Sequence, residues 1–430
     1  MSLRCFAFSF AGVYLTFAAA SAQNPTITVK SYSAPSAQHI RPADLNKDGF
    51  SDLALFGDNS VAPYGAQYPG TPLAVMLNNG HGGFQPATVI EENGYVTVAA
   101  AIADLNGDGL PDIGACSAQT GTNNQNYLNI YLNQGGGRFT LVHSIYAPFG
   151  CSSIGIGDAN KDGKADIALA TEDSGEGNEY DNIVTTFFGD GTGNFPTSYS
   201  QQGINLDGSR SGELCGFRDE AGADFNGDGI LDLVVVVDCN YLNNVSNVFL
   251  LTGDGTGNYT AKLQFESNYD FTANEPYVAG VNGDGKPDVI LVAQQETGAS
   301  ETLGDLQFLV DQGNDTLANI PVAYLQTAST TKADHIYAGA AGNFNGDAYP
   351  DAVIAYERGG APGLAVRYGT NSKGGFGTPV VLPAPGSTPI DLAAADYNHS
   401  GSDGFAVLES SNGTNQIVVY LRNSNSNRLK

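Results

Sequence analysis

Apolar runs of four or five residues recur along the chain, and each one follows a turn rich in Asp, Asn and Gly. The runs at 53–56, 167–170 and 233–237 are too short for helices, and their composition suits buried strands. Another strand of the repeat ends in a Gly-rich stretch followed by an aromatic residue, as in GDGTGN before Phe195. We expect a hairpin tip there, with the aromatic side chain packed inward to fix the register.

An acidic string of nine residues precedes these runs and returns seven times. Its starts at 44, 104, 158, 224, 280, 343 and 396 define a repeating unit of about sixty residues. We refer to the strings as turns one to seven, and to their residues as positions 1 to 9. In order, the strings are DLNKDGFSD, DLNGDGLPD, DANKDGKAD, DFNGDGILD, GVNGDGKPD, NFNGDAYPD and DYNHSGSDG.

Each unit accommodates four strands, A to D, with the acidic string as the A–B turn and the Gly-rich tip as the C–D turn. Seven such units predict an all-β fold, a seven-bladed β-propeller of four-stranded blades within a single domain at 23–430. The seventh unit reaches strand C at 417–421, and a spare strand lies at 26–32 near the N-terminus. We expect the N-terminal strand to complete the last blade and close the ring.

Composition narrows the class of protein further. Gly at 55 of 430 residues and only 15% charged residues favour strands and tight turns, and 41% hydrophobic residues suffice for a core. The net charge of -27, with 18 Lys and Arg against 45 Asp and Glu, makes nucleic acid a poor partner. We therefore expect no nucleic-acid binding.

The first 22 residues are typical of a secretory signal peptide. Arg4 precedes an apolar run at 5–20, and Ala20-Ser21-Ala22 suits cleavage. An uncleaved anchor is the alternative, but the run is shorter than the ~20 residues that span a bilayer. We expect a secreted, extracellular protein without a transmembrane span (periplasmic or at the cell surface if bacterial), and a monomer.

Four cysteines remain after cleavage, and an even number in an exported chain indicates two disulfides. Three connectivities are possible. We favour Cys116 with Cys151, which lie on adjacent blades, and Cys215 with Cys239, which flank strands A and B of the fourth blade. Cysteine-ligated zinc is the alternative, but the chain has no C-x-x-C pair.

The acidic strings have the composition of calcium loops. Positions 1, 3, 5 and 9 offer side-chain oxygens, position 7 offers its carbonyl, and Gly at position 6 permits a sharp bend. Three carboxylates in nine residues repel one another unless a cation lies among them. The alternative is an Asx-rich turn whose side chains bond their own backbone.

The four complete turns supply the predicted ligands Asp44, Asn46, Asp48, Phe50 and Asp52; Asp104, Asn106, Asp108, Leu110 and Asp112; Asp158, Asn160, Asp162, Lys164 and Asp166; and Asp224, Asn226, Asp228, Ile230 and Asp232. We expect calcium in all four of these turns. Two weaker sites are expected at Asn282, Asp284, Lys286 and Asp288 in turn five, and at Asn343, Asn345, Asp347, Tyr349 and Asp351 in turn six. Gly280 replaces the first ligand of turn five and Ala348 the bend glycine of turn six, whereas Ser400 and Gly404 leave turn seven without calcium.

These repeats resemble the FG-GAP family, also called VCBS repeats, known from the headpiece propeller of integrin α-subunits and from many exported bacterial proteins. The resemblance covers nearly the whole mature chain. It implies a propeller with calcium at each intact turn, and adhesion or recognition more often than catalysis. Turns five to seven depart from the pattern.

Function is expected on the face opposite the acidic turns. The A–B and C–D turns share one face, whereas the variable B–C and D–A connections lie on the other, as binding loops do on a rigid scaffold. We therefore predict that a protein or glycan ligand binds there, next to carboxylates and tyrosines of these loops. The tyrosines are Tyr64, Tyr68, Tyr127, Tyr180 and Tyr241.

Two alternatives to a recognition module stay open. The first is a polysaccharide-active enzyme resembling a lyase, for which Arg210, Arg218, Lys332 and His335 are the candidate groups. The chain lacks G-x-S-x-G, H-E-x-x-H and Walker-type motifs, and its acidity disfavours an anionic substrate. The second is a propeller that organises a larger surface assembly without a discrete ligand.

Overall fold

The structure is a computed structural model with side chains. It describes residues 27–57, 72–91, 95–119, 125–147, 151, 153–173, 181–196, 199–204, 206, 216–238, 246–266, 276–281, 284–296, 302–312, 315–325, 335–347, 349–358, 360–370, 375–382, 386–411 and 413–422. These residues form strands and turns, and none of them lies in a helix. No helix long and apolar enough to cross a membrane is found among them.

The strands alternate with the acidic turns and tips that the sequence indicates. In chain order they are β1 (Ile27–Ala34), β2 (His39–Ala43), β3 (Asp52–Phe56), β4 (Ala74–Met76), β5 (Thr88–Val89), β6 (Tyr95–Ala103), β7 (Asp112–Gln119), β8 (Asn126–Asn133), β9 (Phe139–Ala147), β10 (Ser153–Gly157), β11 (Asp166–Asp173), β12 (Asp181–Phe187), β13 (Tyr199–Gly203), β14 (Gly216–Ala223), β15 (Asp232–Asp238), β16 (Ser246–Gly253), β17 (Tyr259–Glu266), β18 (Tyr277–Ala279), β19 (Asp288–Glu296), β20 (Thr302–Asp311), β21 (Leu317–Leu325), β22 (His335–Gly342), β23 (Asp351–Arg358), β24 (Ala361–Arg367), β25 (Val380–Leu382), β26 (Thr388–Ala395), β27 (Gly404–Ser411) and β28 (Thr414–Arg422).

These strands form seven antiparallel sheets of four, which confirms the predicted seven-bladed β-propeller. Blades one to six are β2–β5, β6–β9, β10–β13, β14–β17, β18–β21 and β22–β25. Blade seven has the order β1-β28-β27-β26, so the N-terminal strand is its outermost member. Neighbouring blades contact one another around the ring, including β2 of blade one with β26 of blade seven.

The ring closes as the sequence predicts, through a strand from the opposite end of the chain. Ile27 pairs with Arg422 and Ala34 with Asn415, so β1 runs two residues beyond the predicted end at position 32. Its Tyr32 packs edge-to-face on Phe84 of blade one, with 5.8 Å between ring centroids. The closing strand therefore joins the last blade to the first.

The blades meet through apolar side chains, and the innermost strands approach one another very closely. A Cβ atom at Gly222 in β14 would lie 2.9 Å from the Cα atom of Gly155 in β10. Only glycine fits where two backbones approach so closely. The inner strands of blades one to five surround a central cavity of about 270 Å³.

A partly buried ion pair fixes the seam between blades one and seven from the inside. Asp391 Oδ2 in β26 accepts hydrogen bonds from Ile40 N at 2.8 Å and from Arg41 Nη1 at 3.2 Å, both in β2. The Arg41 guanidinium also lies over the ring of Tyr277, 5.7 Å from its centroid. The first and last blades are thus joined beside the central cavity as well as through the outermost strand β1.

Blade seven also buries a carboxyl group, and we therefore expect the stability of the fold to depend on pH. Glu409 in β27 is fully buried; Gln416 Nε2 donates to its Oε2 atom at 3.1 Å, and Oε1 has no hydrogen-bond partner among the described residues. Burial raises the pKa of Glu409 from 4.5 to about 7. A raised pKa favours the folded state below the unfolded value of 4.5, and this contribution is lost as the pH rises through 7.

We therefore expect Glu409→Gln to leave stability unchanged at pH 4 and to raise it at pH 8. The gain at pH 8 is at most about 3.5 kcal/mol, because the pKa differs by about 2.5 between the two states and each pKa unit corresponds to about 1.4 kcal/mol. Urea denaturation of both proteins from pH 4 to 8 measures the difference, and parallel pH profiles would contradict the argument.

Candidate metal sites

The acidic turns fold around hydrogen bonds from their own backbone. In turn one, Asp44 Oδ1 accepts from Asp48 N at 3.1 Å, and Asp44 Oδ2 accepts from Gly49 N at 2.9 Å. The same bond from position 6 to position 1 recurs in turns two, three, four and seven, at 2.7–2.8 Å. Gly49 has a φ of 90°, a backbone conformation that favours glycine. The predicted bend at position 6 is therefore present.

Positions 3 and 5 continue this pattern at the exposed side of the turn. Asn46 Oδ1 accepts from Asp48 N at 2.8 Å, and Asp48 Oδ1 accepts from Phe50 N at 2.9 Å. Turn two repeats the same pair of bonds. The side-chain oxygens of positions 1, 3 and 5 therefore surround a short stretch of backbone next to solvent.

Position 9 is different, because its carboxylate is buried and links two turns. In blade four, Asp232 Oδ2 accepts from Phe225 N of the acidic turn at 3.1 Å, and Oδ1 accepts from Gly253 N of the C–D tip at 2.9 Å. The same two bonds, 2.6–2.9 Å long, are made by Asp52, Asp112, Asp166, Asp288 and Asp351.

This link has two consequences for the predicted sites. It places the A–B turns and C–D tips on one face, as expected from the strand order. It also gives the aspartate at position 9 a structural role that the metal-loop pattern does not reveal. The signal in the sequence was the apolar residue at position 2, such as Leu45 or Phe225, whose buried N–H needs an acceptor.

The carboxylates within a turn repel one another. Burial, and then repulsion by Asp228, raise the pKa of Asp232 to about 7. Burial and the charges of Asp48 and Asp44 raise the pKa of Asp52 to about 6. A divalent cation would relieve this repulsion.

The donor set fits calcium. It consists of carboxylate, amide and carbonyl oxygens, which are hard ligands, and in the four complete turns each of these positions is occupied by the expected residue type. Within the described ranges, no group of three or more His, Cys, Asp or Glu side chains is already arranged to hold a metal ion. Bound calcium would be held by positions 1, 3 and 5 and the position 7 carbonyl, beside the position 9 carboxylate.

Several turns contain a cation from the protein itself. Lys164 Nζ lies 3.1 Å from Asp162 Oδ2 in turn three, and Lys286 Nζ of turn five lies 3.1 Å from Asp311 Oδ2 in the adjacent tip. In blade seven, the Arg422 guanidinium donates to Ser402 Oγ and lies 2.8 Å from where a Cβ atom of Gly346 would be. Turn six therefore has an arginine beside it. Asn282 and Ala348 lie outside the described residues.

The degenerate turn seven contacts its neighbours instead. Asp403 Oδ2 accepts from Asn343 N of turn six at 2.6 Å. His399 Nε2 hydrogen-bonds the Gly49 carbonyl oxygen, and its ring packs against Phe50 with 4.2 Å between centroids and 30° between the ring planes. Turn seven is thus joined to both flanking turns.

The carbonyl at position 2 connects successive blades. The carbonyl oxygens of Leu45 and Tyr397 accept from Asn133 Nδ2 at 2.7 Å and from Asn78 Nδ2 at 2.9 Å, both from the tip of the following blade. Backbone N–H groups at the tips of blades three and four make the equivalent bonds to turns two and three. The acidic face is therefore a chain of linked turns and tips.

A disulfide joins Cys116 in β7 to Cys151 before β10, as predicted, with 5.8 Å between Cα atoms. It spans the core between blades two and three. The predicted partners Cys215 and Cys239 lie outside the described residues.

We expect the double substitution of Cys116 and Cys151 by Ser to lower the free energy of unfolding by about 3–4 kcal/mol. The bond closes a loop with a sequence separation of 35 residues, and chain entropy scales with that length. Urea denaturation measures the loss, and an unchanged midpoint and slope would contradict the prediction.

The opposite face has an aromatic cluster at the edge of blade two. Tyr127 contacts Tyr95 and Tyr146, with centroids 5.6 and 5.9 Å apart, and Tyr146 is half exposed. Beneath them, the buried Glu91 accepts hydrogen bonds from Thr97 and Ser117, each at 2.8 Å. Among the predicted ligand-face and catalytic residues, Tyr64, Tyr68, Tyr180, Tyr241, Arg210 and Lys332 lie outside the described residues, as do the side chains of Arg218 and His335.

The fold and turns together define a class: a seven-bladed β-propeller with acidic turns between strands A and B of its blades. A family model described as "FG-GAP-like repeat" matches residues 44–115, 117–169 and 224–291. These segments include turns one to five. Over these segments the chain carries FG-GAP-like repeats, as its strings indicate.

Other known proteins are similar over part or most of the chain. Phosphatidylinositol-glycan-specific phospholipase D from Mus musculus is 27% identical over 170 residues, which are 34% of this chain and 19% of the relative. The Rattus norvegicus protein of the same description is 25% identical over 221 residues, 43% of this chain and 25% of the relative. The chain thus spans a quarter or less of these relatives. The Dos1 propeller is similar in fold, with a TM-score of 0.53, 13% identity and coverage of 91% of this chain and 94% of that chain.

Proposed function

We propose that the protein is a secreted, calcium-binding β-propeller that acts as a non-catalytic recognition module. Its ligand is a protein or a glycan, bound on the face opposite the acidic turns. The observation that carries the proposal is the difference between the two faces: one face consists of linked turns and tips, whereas the other carries the tyrosine cluster of blade two.

Calcium supports this function by stiffening the acidic face. The donors fit the ion, and in turns one to six the position 9 carboxylate connects the turn to the tip of the same blade. An ion bound in the turn would therefore restrict the A–B turn and the C–D tip of the same blade together. A rigid scaffold keeps the loops of the other face in fixed positions, which lowers the entropy lost on binding.

The tyrosine cluster is the part of the ligand face that the described residues define best. Tyrosine side chains combine a large apolar ring with a polar hydroxyl and lose little entropy on binding. The Cys116–Cys151 disulfide connects β7 of the same blade to the segment before β10 of blade three. The net charge of -27 disfavours strongly anionic ligands.

A glycan array combined with quantitative binding to any positive ligand tests the proposal. We expect binding of at least one glycan or protein ligand, with a loss of about tenfold or more in Tyr146→Ala. Tyr199→Ala is the matched control, since Tyr199 is also an exposed tyrosine, 40% accessible, but follows the tip of blade three on the acidic side. New unsaturated products from pectic or algal polysaccharides would instead support the lyase alternative.

A further inference from the structure

Turn four differs from turns one, two and six in the partner of its position 3 amide. In turns one, two and six, the position 3 amide nitrogen donates to the position 5 carboxylate of the same turn, at 2.7–3.0 Å. In turn four, Asn226 Nδ2 donates to Asp315 Oδ1 at 3.2 Å. Asp315 belongs to the C–D tip of blade five, so this contact crosses between blades.

The position of Asp315 is fixed by several contacts with blade four. Its backbone is in the left-handed region, with a φ of 54°, and its carbonyl oxygen accepts from Lys262 Nζ at 2.8 Å and from Gln264 Nε2 at 3.1 Å. Gln264 Oε1 in turn accepts from Leu317 N at 2.8 Å. The tip of blade five therefore rests on β17, and its aspartate is held beside turn four.

Both polar atoms of the Asn226 amide group, a predicted calcium ligand, have hydrogen-bond partners that fix its orientation. Asn226 Oδ1 accepts from Asp228 N at 2.9 Å, while its amide nitrogen points to Asp315. The amide oxygen is thereby directed into the turn. Residues that orient metal ligands in this way affect affinity although they do not touch the ion.

The charge of turn four adds to the effect of this orientation. Its string, DFNGDGILD, contains no Lys or Arg, whereas turns one and three contain lysines. Turn three even pairs Lys164 with Asp162 at 3.1 Å. Turn four thus combines three carboxylates with a fourth from the neighbouring blade, which favours a divalent cation more than the lysine-bearing turns do.

We propose that Asp315 is a positioning residue for calcium in turn four, and that it makes this turn the tightest of the four complete ones. Calcium bound there connects blade five to blade four through Asn226. This inference rests on the proposed calcium binding. It goes beyond it by assigning a residue outside the nine-residue string and an order among the sites.

Calcium titrations of the metal-free, full-length protein test the assignment, by calorimetry and by competition with a chromophoric chelator. We expect Asp228→Asn to abolish the tightest step, and Asp315→Ala to weaken it about tenfold. Asp315→Asn should keep most of the affinity, because asparagine retains an acceptor oxygen and tolerates a left-handed backbone. In the Asn226→Ala background, Asp315→Ala should have no further effect.

Asp254→Ala is the matched control. Asp254 occupies the tip of blade four, but its carboxylate accepts from Thr256 of that same tip, at 2.6 Å from the hydroxyl and 2.8 Å from the backbone nitrogen. Its substitution should leave the tightest step within about twofold. An equal loss in both alanine variants, or an unchanged tightest step in Asp315→Ala, would overturn this inference alone. A wild-type protein that binds no calcium would overturn the proposed function.

Discussion

Replacing Asp232 with Ala is expected to lower the free energy of unfolding of the metal-free protein by about 5 kcal/mol. The buried carboxylate accepts the N–H groups of Phe225 and Gly253, and Asn226 N also lowers its pKa by hydrogen bonding. Each buried donor left without an acceptor costs about 1–3 kcal/mol. The acidic turn and the tip of blade four also lose their connection. Urea denaturation in the presence of a chelator measures the effect.

Asp228→Ala in the same turn separates this structural role from metal binding. Asp228 is exposed and accepts Ile230 N at 2.8 Å, and its charge repels that of Asp232. Without calcium, its substitution should change stability by less than about 1 kcal/mol. Similar losses in Asp228→Ala and Asp232→Ala would show that position 9 has no special role in holding the fold.

The architecture could be predicted because its determinants repeat along the chain. Seven acidic strings with apolar runs behind them define the blades, and the missing last strand at one end matches the spare strand at the other. The tip aromatics follow the expectation in part. Phe84, Phe195 and Tyr259 are buried as predicted, whereas Phe139 and Phe376 are only half buried. A repeated pattern indicates local structure, but it does not show how deeply each of these side chains is buried.

Contacts between blades could not be predicted in the same way. Arg41 and Asp391 are 350 residues apart and meet only because the ring closes. Asp315 lies in a tip whose sequence differs from the GDGTGN pattern, so its contact with turn four has no signature in the string. Glu409 follows the apolar residues of β27, and its charge predicts an exposed position, whereas in the structure it is buried. Such features depend on register between distant strands.

The expected consequence of calcium removal is a large loss of thermal stability. Extracellular calcium modules bind with dissociation constants of about 10⁻⁴–10⁻³ M. At about 10 mM free calcium, each occupied site then stabilises the folded state by about 1.4–2.7 kcal/mol, or about 6–11 kcal/mol for four sites. For a chain of this size we expect the melting temperature to fall by about 10 °C when a chelator removes the ion. Because the chain has no Trp, scanning calorimetry is the suitable measurement.

Two controls distinguish bound calcium from simple charge screening, which also stabilises a protein with a net charge of -27. Sodium chloride at matched ionic strength should restore little of the lost stability, and magnesium should restore less than calcium because it dehydrates reluctantly. The combined substitution of Asp48, Asp108, Asp162 and Asp228 by Asn should abolish the calcium response and leave the metal-free melting temperature nearly unchanged. Equal stabilisation by sodium chloride and calcium would mean that the acidic turns carry charge without binding the ion, and that the buried carboxylates at position 9 alone maintain this face.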